Sequence, residues 1–407
     1  MIVVSTDKLK TGQILAKEVR DINGRLLLSK GHTIAANHIR IFKIWGISEV
    51  FLEGGDSQDD KPDWQLDPMV IEQAQERLKM IFSHTDMEDP ATKKIFDIAL
   101  RFRCEHNIPV ENEDWPVNGK QIPRDDRPKN FQKKLKLTNI ILPEIPSVAL
   151  ELQEVIADPM SSAEHIARVV SKSPSLTAVL LKIANSSFYS LPSRISTVSH
   201  AVSLLGTKEI SVLALGICVL SVFKNIPAKT INTHSFLKHS LLCGLLSRVF
   251  AAHKNLPQTE QLFVSGLLHD LGRLILLSYF PDESLQILAQ ARSRRKLLYE
   301  EEKICLGCDH AQLGRQLMKQ WRLPLDLENS VLYHHKPAEA AHSGPASIVH
   351  LSDIIANSLG IGTSGEKFIS PLDNAAWENL KLSPNSFGTI IGQATHQYQA
   401  LESILEA

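Results

Sequence analysis

The sequence predicts a mainly α protein: an all-α helical domain preceded by a small β-rich N-terminal domain. From residue 138 onward, apolar side chains recur at three- and four-residue spacing, with capping residues at the breaks and no strand-like alternation, the pattern of packed amphipathic helices. Residues 1–54 are patterned differently: the short apolar runs Val3-Val4, Ile14-Leu15 and Arg25 to Leu28 are set off by Gly12 and the turn Asp21 to Gly24. A length of 407 residues leaves room for two or three domains, and 43% apolar content is enough for a full core.

Composition excludes several function classes. Forty-four Lys and Arg stand against forty-five Asp and Glu, so no global field draws the chain to nucleic acid or to an anionic membrane surface, and binding has to come from local sites. Five cysteines, at 104, 218, 243, 305 and 308, with no signal-like start, point to a reducing cytoplasm. The apolar stretch Ile210 to Phe223 is too short and too interrupted by Ser to cross a bilayer, and is read as a buried helix, so membrane insertion is not expected.

In the N-terminal domain, 1–54, Ala35 to Trp45 reads as a helix with Ile39 and Phe42 on one face; Gly46 closes it and Glu49 to Leu52 returns as a strand. His32 and His38 have no carboxylate or Cys companion and read as ordinary histidines. A polar, turn-rich linker follows at 55–64. In the helical connector, 65–106, Asp67 as N-cap and Pro68 open an amphipathic helix to Ser83 that carries Val70, Ile71, Ala74, Leu78 and Ile81; a second helix runs from Pro90 to Cys104. The pair could connect domains or mediate homo-oligomerisation. Residues 107–137 form a Pro-rich basic linker. Its cluster Arg124, Arg127, Lys129, Lys133, Lys134 and Lys136 lacks interleaved aromatics, which favours a solvated linker over a nucleic-acid patch.

The main domain, 138–407, divides into an N-terminal helical subdomain (138–225), a second subdomain (226–360) and C-terminal helices (361–407). After Leu142, Pro143 and Pro146, a helix from Ser147 buries Val148, Leu152, Val155 and Ile156. Ser161 and Glu164 form a capping box for a helix burying Ile166, Val169 and Val170. Ser173-Pro174 starts the next, with Leu176, Val179, Leu180 and Ile183 inside. Asn185-Ser186 ends it, Arg194 to Thr197 leads into another, and Gly206 stops that one; Asn185 and Arg194 are weighed as backbone-satisfying residues over ligand contacts. Cys305 and Cys308 lack a second pair and read as core or surface thiols, while Leu313, Leu317 and Trp321 read as core. Helices are expected near Asp373 to Leu380 and Ser386 to Ile404.

Site chemistry concentrates between His234 and Asp353, which hold nine of the sixteen histidines. The ordered candidates are His239, the doublet His269-Asp270, His310, the doublet His334-His335, and Asp353. Imidazole and carboxylate together suit borderline divalent metals. On an unbroken helix His269 and Asp270 point about 100° apart and share a site only where the helix faces a cleft. The competing reading is a set of buried histidines hydrogen-bonded to one another and to the two aspartates.

This ordered set resembles the HD superfamily of metal-dependent phosphohydrolases, and its spacing is similar to the HD-GYP cyclic di-GMP phosphodiesterases. The stretch from Leu142-Pro-Glu-Ile-Pro146 through Asn185-Ser186 to Leu205-Gly206 resembles the HDOD domain, a mostly non-catalytic relative, and that likeness covers about residues 138 to 360. The N-terminal module resembles the small domain often found ahead of HD-GYP phosphodiesterases. The resemblance implies one ion among His239, His269, Asp270 and Asp353, with His310, His334 and His335 available to a second, the ion being Fe, Mn or Zn. Asp270 and Arg273 would be the catalytic residues of an active enzyme, Arg273 standing where HD-GYP proteins carry a phosphate-holding lysine. Three departures stand out. Ser173-Pro174 replaces Asp-Pro, Lys336 follows His335 where the phosphodiesterases carry Glu, and the Gly-Tyr-Pro triplet is missing. The expectation is therefore a bacterial signal-transduction protein whose HDOD domain is a protein-interaction or ligand-sensing module, with other signalling proteins or a cyclic nucleotide as partners. The alternative is a metal-dependent phosphodiesterase acting on cyclic di-GMP or another nucleotide.

Overall fold

The computed structural model describes residues 2–6, 9–20, 26–44, 47, 49–53, 68–109, 144–158, 160–186, 189, 194–223 and 231–402. In the N-terminal unit, β1 (Ile2–Ser5), β2 (Val19–Arg20), β3 (Leu26–Leu28), α1 (Ala36–Ile44) and β4 (Glu49–Leu52) follow in that order. β1 pairs antiparallel with β4, Val3 opposite Phe51, and β2 pairs with β3. Leu15, Val19, Ile34, Phe42, Val50 and Leu52 fill a small core of their own. The strand expected at Ile14-Leu15 is reduced to single bridges, Ile14 to Thr33 and Leu15 to Leu52, with Leu15 wholly buried in the small core. β2 escaped the sequence reading, since two residues are too few to show alternation. The expected turn at Asp21 to Gly24, the closing Gly46, the linker 55–64, the Asp67 cap, the basic cluster and the Pro143 lead-in all lie outside the described residues.

Helices build the rest. α2 (Pro68–Ile81) and α3 (Pro90–Glu105) are followed by α4 (Ser147–Ala157), α5 (Ala163–Ser171), α6 (Pro174–Ala184), α7 (Val198–Leu205) and α8 (Thr207–Ser221). Then come α9 (Thr233–His253), α10 (Thr259–Leu268), α11 (Leu271–Tyr279), α12 (Pro281–Arg294), α13 (Leu298–Leu306), α14 (His310–Gln320) and α15 (Leu325–Leu332). The last three are α16 (Ser343–Leu359), α17 (Asn374–Leu380) and α18 (Phe387–Glu402). Caps explain many of the starts: Asp89, Ser173, Thr197, Asn232 and Asp373 each accept a hydrogen bond from a backbone N–H of the first turn. The cap of α5 is Ser162 and not Ser161. Asp158 accepts from the Met160 N–H through Oδ1 at 2.9 Å and from the Ser161 N–H through its carbonyl at 3.1 Å, a turn that delays the helix by one residue.

Asn185 is a structural clamp. Its Nδ2 donates to the carbonyls of Leu181 and Ile195 at 2.8 and 2.7 Å, and its Oδ1 accepts from the Ile195 N–H at 2.6 Å, tying the end of α6 to the segment leading into α7. α2 and α3 share one continuous core with the later helices, placing Leu78, Phe82, Ile95 and Ala99 in the same cluster as Leu242, Ile355 and Phe387. Arg103 of α3, 6% exposed, donates from Nε to Ser358 O at 2.7 Å and from Nη2 to Asn357 O at 3.1 Å, closing carbonyls that the end of α16 leaves open.

Close helix contacts seat the centre of the fold. A Cβ on Gly266 would stand 2.7 Å from Cys243 O, and one on Gly272 only 1.8 Å from His310 O, so α10 lies directly on α9 and α11 directly on α14. Thr259–Tyr279 is the stretch long and apolar enough by composition to cross a membrane, a property the sequence reading did not assign to it; 89% of its apolar window is buried inside the fold. Among the described residues the second apolar run, Ile210 to Phe223, is buried as expected, largely within α8.

Candidate metal centre

Six helices or their ends deliver the candidate ligands. His239 comes from the middle of α9, His310 from the first position of α14, and Asp353 from α16; His334 and His335 follow the end of α15. His269 and Asp270 do not sit on one unbroken helix. α10 ends at Leu268 and α11 begins at Leu271, with Asp270 at φ −95° and ψ 17° between them, and this break turns both side chains toward one point.

All seven predicted side chains come together. His239 Nε2 lies 3.2 Å from Asp353 Oδ1 and 3.4 Å from His269 Nε2, and His269 Nε2 lies 3.3 Å from Asp353 Oδ1 and 3.2 Å from Asp270 Oδ2. On the other side, His310 Nε2 stands 3.0 Å from Asp270 Oδ1, 3.3 Å from His334 Nε2 and 3.0 Å from His335 Nε2. Asp270 thus presents one oxygen to each group, a bridging arrangement. His239, His269, His310 and His334 are wholly buried, and Asp270 is 2% exposed.

Three imidazoles have their Nδ1 atoms already engaged. His269 Nδ1 meets Gly266 O at 2.7 Å, His334 Nδ1 meets Val331 O at 2.6 Å, and His310 Nδ1 meets Glu302 Oε2 at 2.6 Å. Each of these acceptors requires the proton on Nδ1, so in the neutral ring Nε2 carries a lone pair. In the neutral rings the Nε2 lone pairs of His310 and His334 therefore face one another across 3.3 Å. Asp270 Oδ1 is buried without a hydrogen bond although His310 Nε2 is near. A proton on His310 Nε2 shared with Asp270 Oδ1, or a cation held among the rings, would relieve that opposition. Donors held about 2.0–2.2 Å from a divalent ion lie roughly 3.0–3.4 Å from one another, which is the spacing here. The donor set, imidazole and carboxylate without thiolate, fits Fe, Mn or Zn.

Electrostatics agree with a cation-seeking cavity. Burial opposes ionisation of Asp270, yet the Arg273 guanidinium and neighbouring imidazoles hold its carboxyl well below the usual range. Asp353 is likewise held low against burial by His239 and His269. Burial pushes His334 down to about 3, helped by His269 and His310, which keeps it a neutral donor. For His310, burial and Arg273 oppose charge, but Glu302 and Asp270 overcome both and raise it to about 9.

Beside this cluster, Arg273 of α11 is engaged through both terminal nitrogens, while its buried Nε makes no hydrogen bond. Its Nη1 donates to Ser364 Oγ at 2.6 Å and Asp270 Oδ2 at 3.1 Å, its Nη2 lies 3.3 Å from Glu366 Oε2, and its Nε is 3.6 Å from Glu302 Oε1. Glu366 is lifted to about 7 by burial, which Arg273 only partly offsets. Lys336 pairs with Glu339 at 3.2 Å on the exposed surface and takes no part in the centre. Cys305 is buried and donates to Gln290 Oε1 at 3.4 Å, and Cys308 is half-buried; neither forms a disulfide.

Glu302, Ser364 and Glu366 were not found from the sequence. Glu302 left a signal: with Leu298, Cys305 and Leu306 it lies on the inward face of α13, so one member of the run Glu300-Glu301-Glu302 had to be buried toward His310. Ser364 and Glu366 lie on an irregular segment, where no periodicity marks an inward side chain.

Residues 142–337 match the HDOD domain family. A segment of 232 residues, 56% of this chain, is 24% identical to an uncharacterized protein of Treponema pallidum and spans 44% of that protein's length. The fold is similar to an HDOD domain protein of unknown function from Geobacter sulfurreducens, with a TM-score of 0.55 and 20% identity over 68% of this chain and 96% of that one. It is also similar to a protein from Shewanella amazonensis SB2B provisionally named a phosphohydrolase, with a TM-score of 0.54 and 20% identity over 68% and 97% of the two chains. A third likeness is to a protein from Marinobacter aquaeolei VT8 provisionally named a signal transduction protein, with a TM-score of 0.52 and 20% identity over 81% and 69%. At such identities these likenesses concern the fold.

Proposed function

We propose, with the HDOD domain at residues 142–337 as premise, that this chain is a bacterial signal-transduction protein whose helical domain holds one or two divalent ions in a closed centre and serves as a protein-interaction or ligand-sensing module. The observation that carries the reading is the convergence of imidazole Nε2 atoms and two carboxylates at ion-ligand spacing, with the opposite ring nitrogens of His269, His310 and His334 already engaged. His239, His269, Asp270 and Asp353 would hold one ion; His310, His334 and His335 would hold a second, with Asp270 shared. A bound ion of this kind supplies Lewis acidity and an acidified water. The chain's own residues do the rest: Glu302 fixes the His310 ring, Gly266 O fixes His269, and Arg273 is held by its four partners away from any incoming phosphate.

Regulation is favoured over turnover because the ligands are buried, Arg273 is occupied and Lys336 faces solvent. A second reading, a metal-dependent phosphodiesterase of HD-GYP-like pattern acting on cyclic di-GMP or another nucleotide, is favoured by Asp270 bridging the two donor groups with Arg273 one turn away. The N-terminal unit, which resembles the domain found ahead of such enzymes, would then be an accessory module, and five cysteines outside any disulfide fit a reducing cytoplasm. Metal analysis of full-length protein, purified without oxygen and offered Fe²⁺, Mn²⁺ or Zn²⁺, is expected to give one to two ions per chain, with loss in H239A and H310A. Protein that refuses all three ions contradicts the reading. Hydrolysis of cyclic di-GMP that disappears in D270A would select the second.

A further inference from the structure

The segment 360–370 crosses the face of the domain next to the metal centre and is fastened along its length. It leaves α16 through Gly360 and Gly362, at φ +74° and +71°. A Cβ on Gly362 would stand 2.2 Å from Ser235 O, so the backbone rests directly on the first turn of α9, and the Thr363 N–H donates to the same carbonyl at 3.0 Å. At the far end, the Ile369 N–H donates to Ile81 O at 2.8 Å, and Phe368 packs with Leu297 and Tyr299.

Between these anchors the segment delivers a carboxylate to the Arg273 guanidinium, which Asp270 and Glu302 also flank. The Glu366 side chain, 3% exposed, accepts from the Leu298 N–H at 3.0 and 3.1 Å and pairs with Arg273 Nη2 at 3.3 Å. Leu298 is the first residue of α13, and the preceding Leu297 supplies no side-chain cap, so its N–H would otherwise be an open donor at the positive end of the helix. A guanidinium and a helix N-terminus converging on one oxyanion is the arrangement that binds phosphate. The pocket continues past Arg273 and Glu302 between apolar walls of Leu276, Leu277, Ile287 and Leu288, and Ser284 Oγ in that wall is buried without a hydrogen-bond partner.

We propose that Arg273, the first turn of α13 and Ser284 form a site for a phosphate-class anion that the chain fills with its own Glu366, making the segment 360–370 an internal competitor displaced by ligand. This rests on the metal-centre reading only in naming which function the competitor regulates, since Arg273 also contacts Asp270; the anion site itself stands without any ion. Binding at Arg273 withdraws the guanidinium from Ser364 and Glu366 and frees the segment from its middle outward, so ligand occupancy is converted into a change of surface around residues 360–370.

The test uses inorganic phosphate as probe on full-length protein, by calorimetric titration with and without chelator, together with hydrogen exchange. E366Q keeps an oxygen for the Leu298 N–H and removes the competing charge; it is expected to bind phosphate at least tenfold more tightly than the wild type. Phosphate added to the wild type is expected to raise deuterium uptake in 360–370. A folded E366Q that binds phosphate no more tightly than wild type, or a segment whose exchange is indifferent to saturating phosphate, overturns the proposal. Should E366Q fail to fold, S364A removes one of the two side-chain acceptors of Arg273 Nη1, Asp270 remaining, and loosens the segment that carries Glu366 without touching the helix cap; absence of tightening there has the same force. Metal content measured on the same samples separates failure of the ion reading from failure of this one.

Discussion

Replacing Glu302 by Gln should weaken metal binding while leaving the fold intact. The Glu302 side chain is 3% exposed, and its Oε2 accepts from both the His310 N–H at 2.9 Å and His310 Nδ1 at 2.6 Å. Its Oε1 faces Arg273 Nε at 3.6 Å. Glutamine preserves the volume and one acceptor oxygen. It removes the charge that makes the His310 ring a stronger donor, and its amide NH₂ cannot accept from whichever group it faces. Loss of such an orienting carboxylate weakens metal affinity by roughly 10–100-fold, about 1.4–2.7 kcal/mol. A chelator competition titration reads this directly. E301Q is the matched control: Glu301 is wholly buried one residue away and pairs with Arg294 at 2.6 Å, so its loss should cost stability with metal affinity unchanged. An E302Q protein with wild-type metal affinity, or an E301Q protein weakened equally, would refute the assignment of Glu302 to the centre.

Three further outcomes follow from the packing. R103M leaves the Ser358 and Asn357 carbonyls at the end of α16 without their donor in a buried place, and should lower unfolding free energy by about 3 kcal/mol in a denaturant titration. In G272A the new Cβ collides with His310 O, a backbone atom that cannot swing aside; thermal melting and chelator competition should show stability and metal affinity falling together, by about 3 kcal/mol for the former. N185A removes three hydrogen bonds at a partly exposed corner far from the centre in function, so denaturant titration should show a loss of about 1–2 kcal/mol with metal content unaltered.

Much of this was legible because helical architecture writes itself at short range. Apolar spacing and caps such as Ser173-Pro174 and Asp373 are local facts, and they placed most helices within a residue or two. The seven candidate ligands were recognisable by residue type and order. Their meeting point was not, because it depends on close helix contacts at Gly266 and Gly272 and on the break at His269-Asp270, none of which periodicity reports. Ser162 displaced Ser161 as a cap through a turn made by Asp158, a competition between neighbours that a four-residue pattern does not resolve. Glu366 was invisible for a different reason: it sits on irregular chain, and its partners, Arg273 and the Leu298 N–H, are 93 and 68 residues away.

X-ray absorption at the metal edge of the reconstituted full-length protein tests the central claim most directly, because it reads the atoms bound to the ion. Coordination through His239, His269, Asp270, Asp353 and the second histidine group predicts a nitrogen and oxygen shell at about 2.0–2.2 Å with outer scattering from several imidazole rings. A sulfur shell at about 2.3 Å, or a shell without imidazole scattering, would put the ion elsewhere and contradict the account.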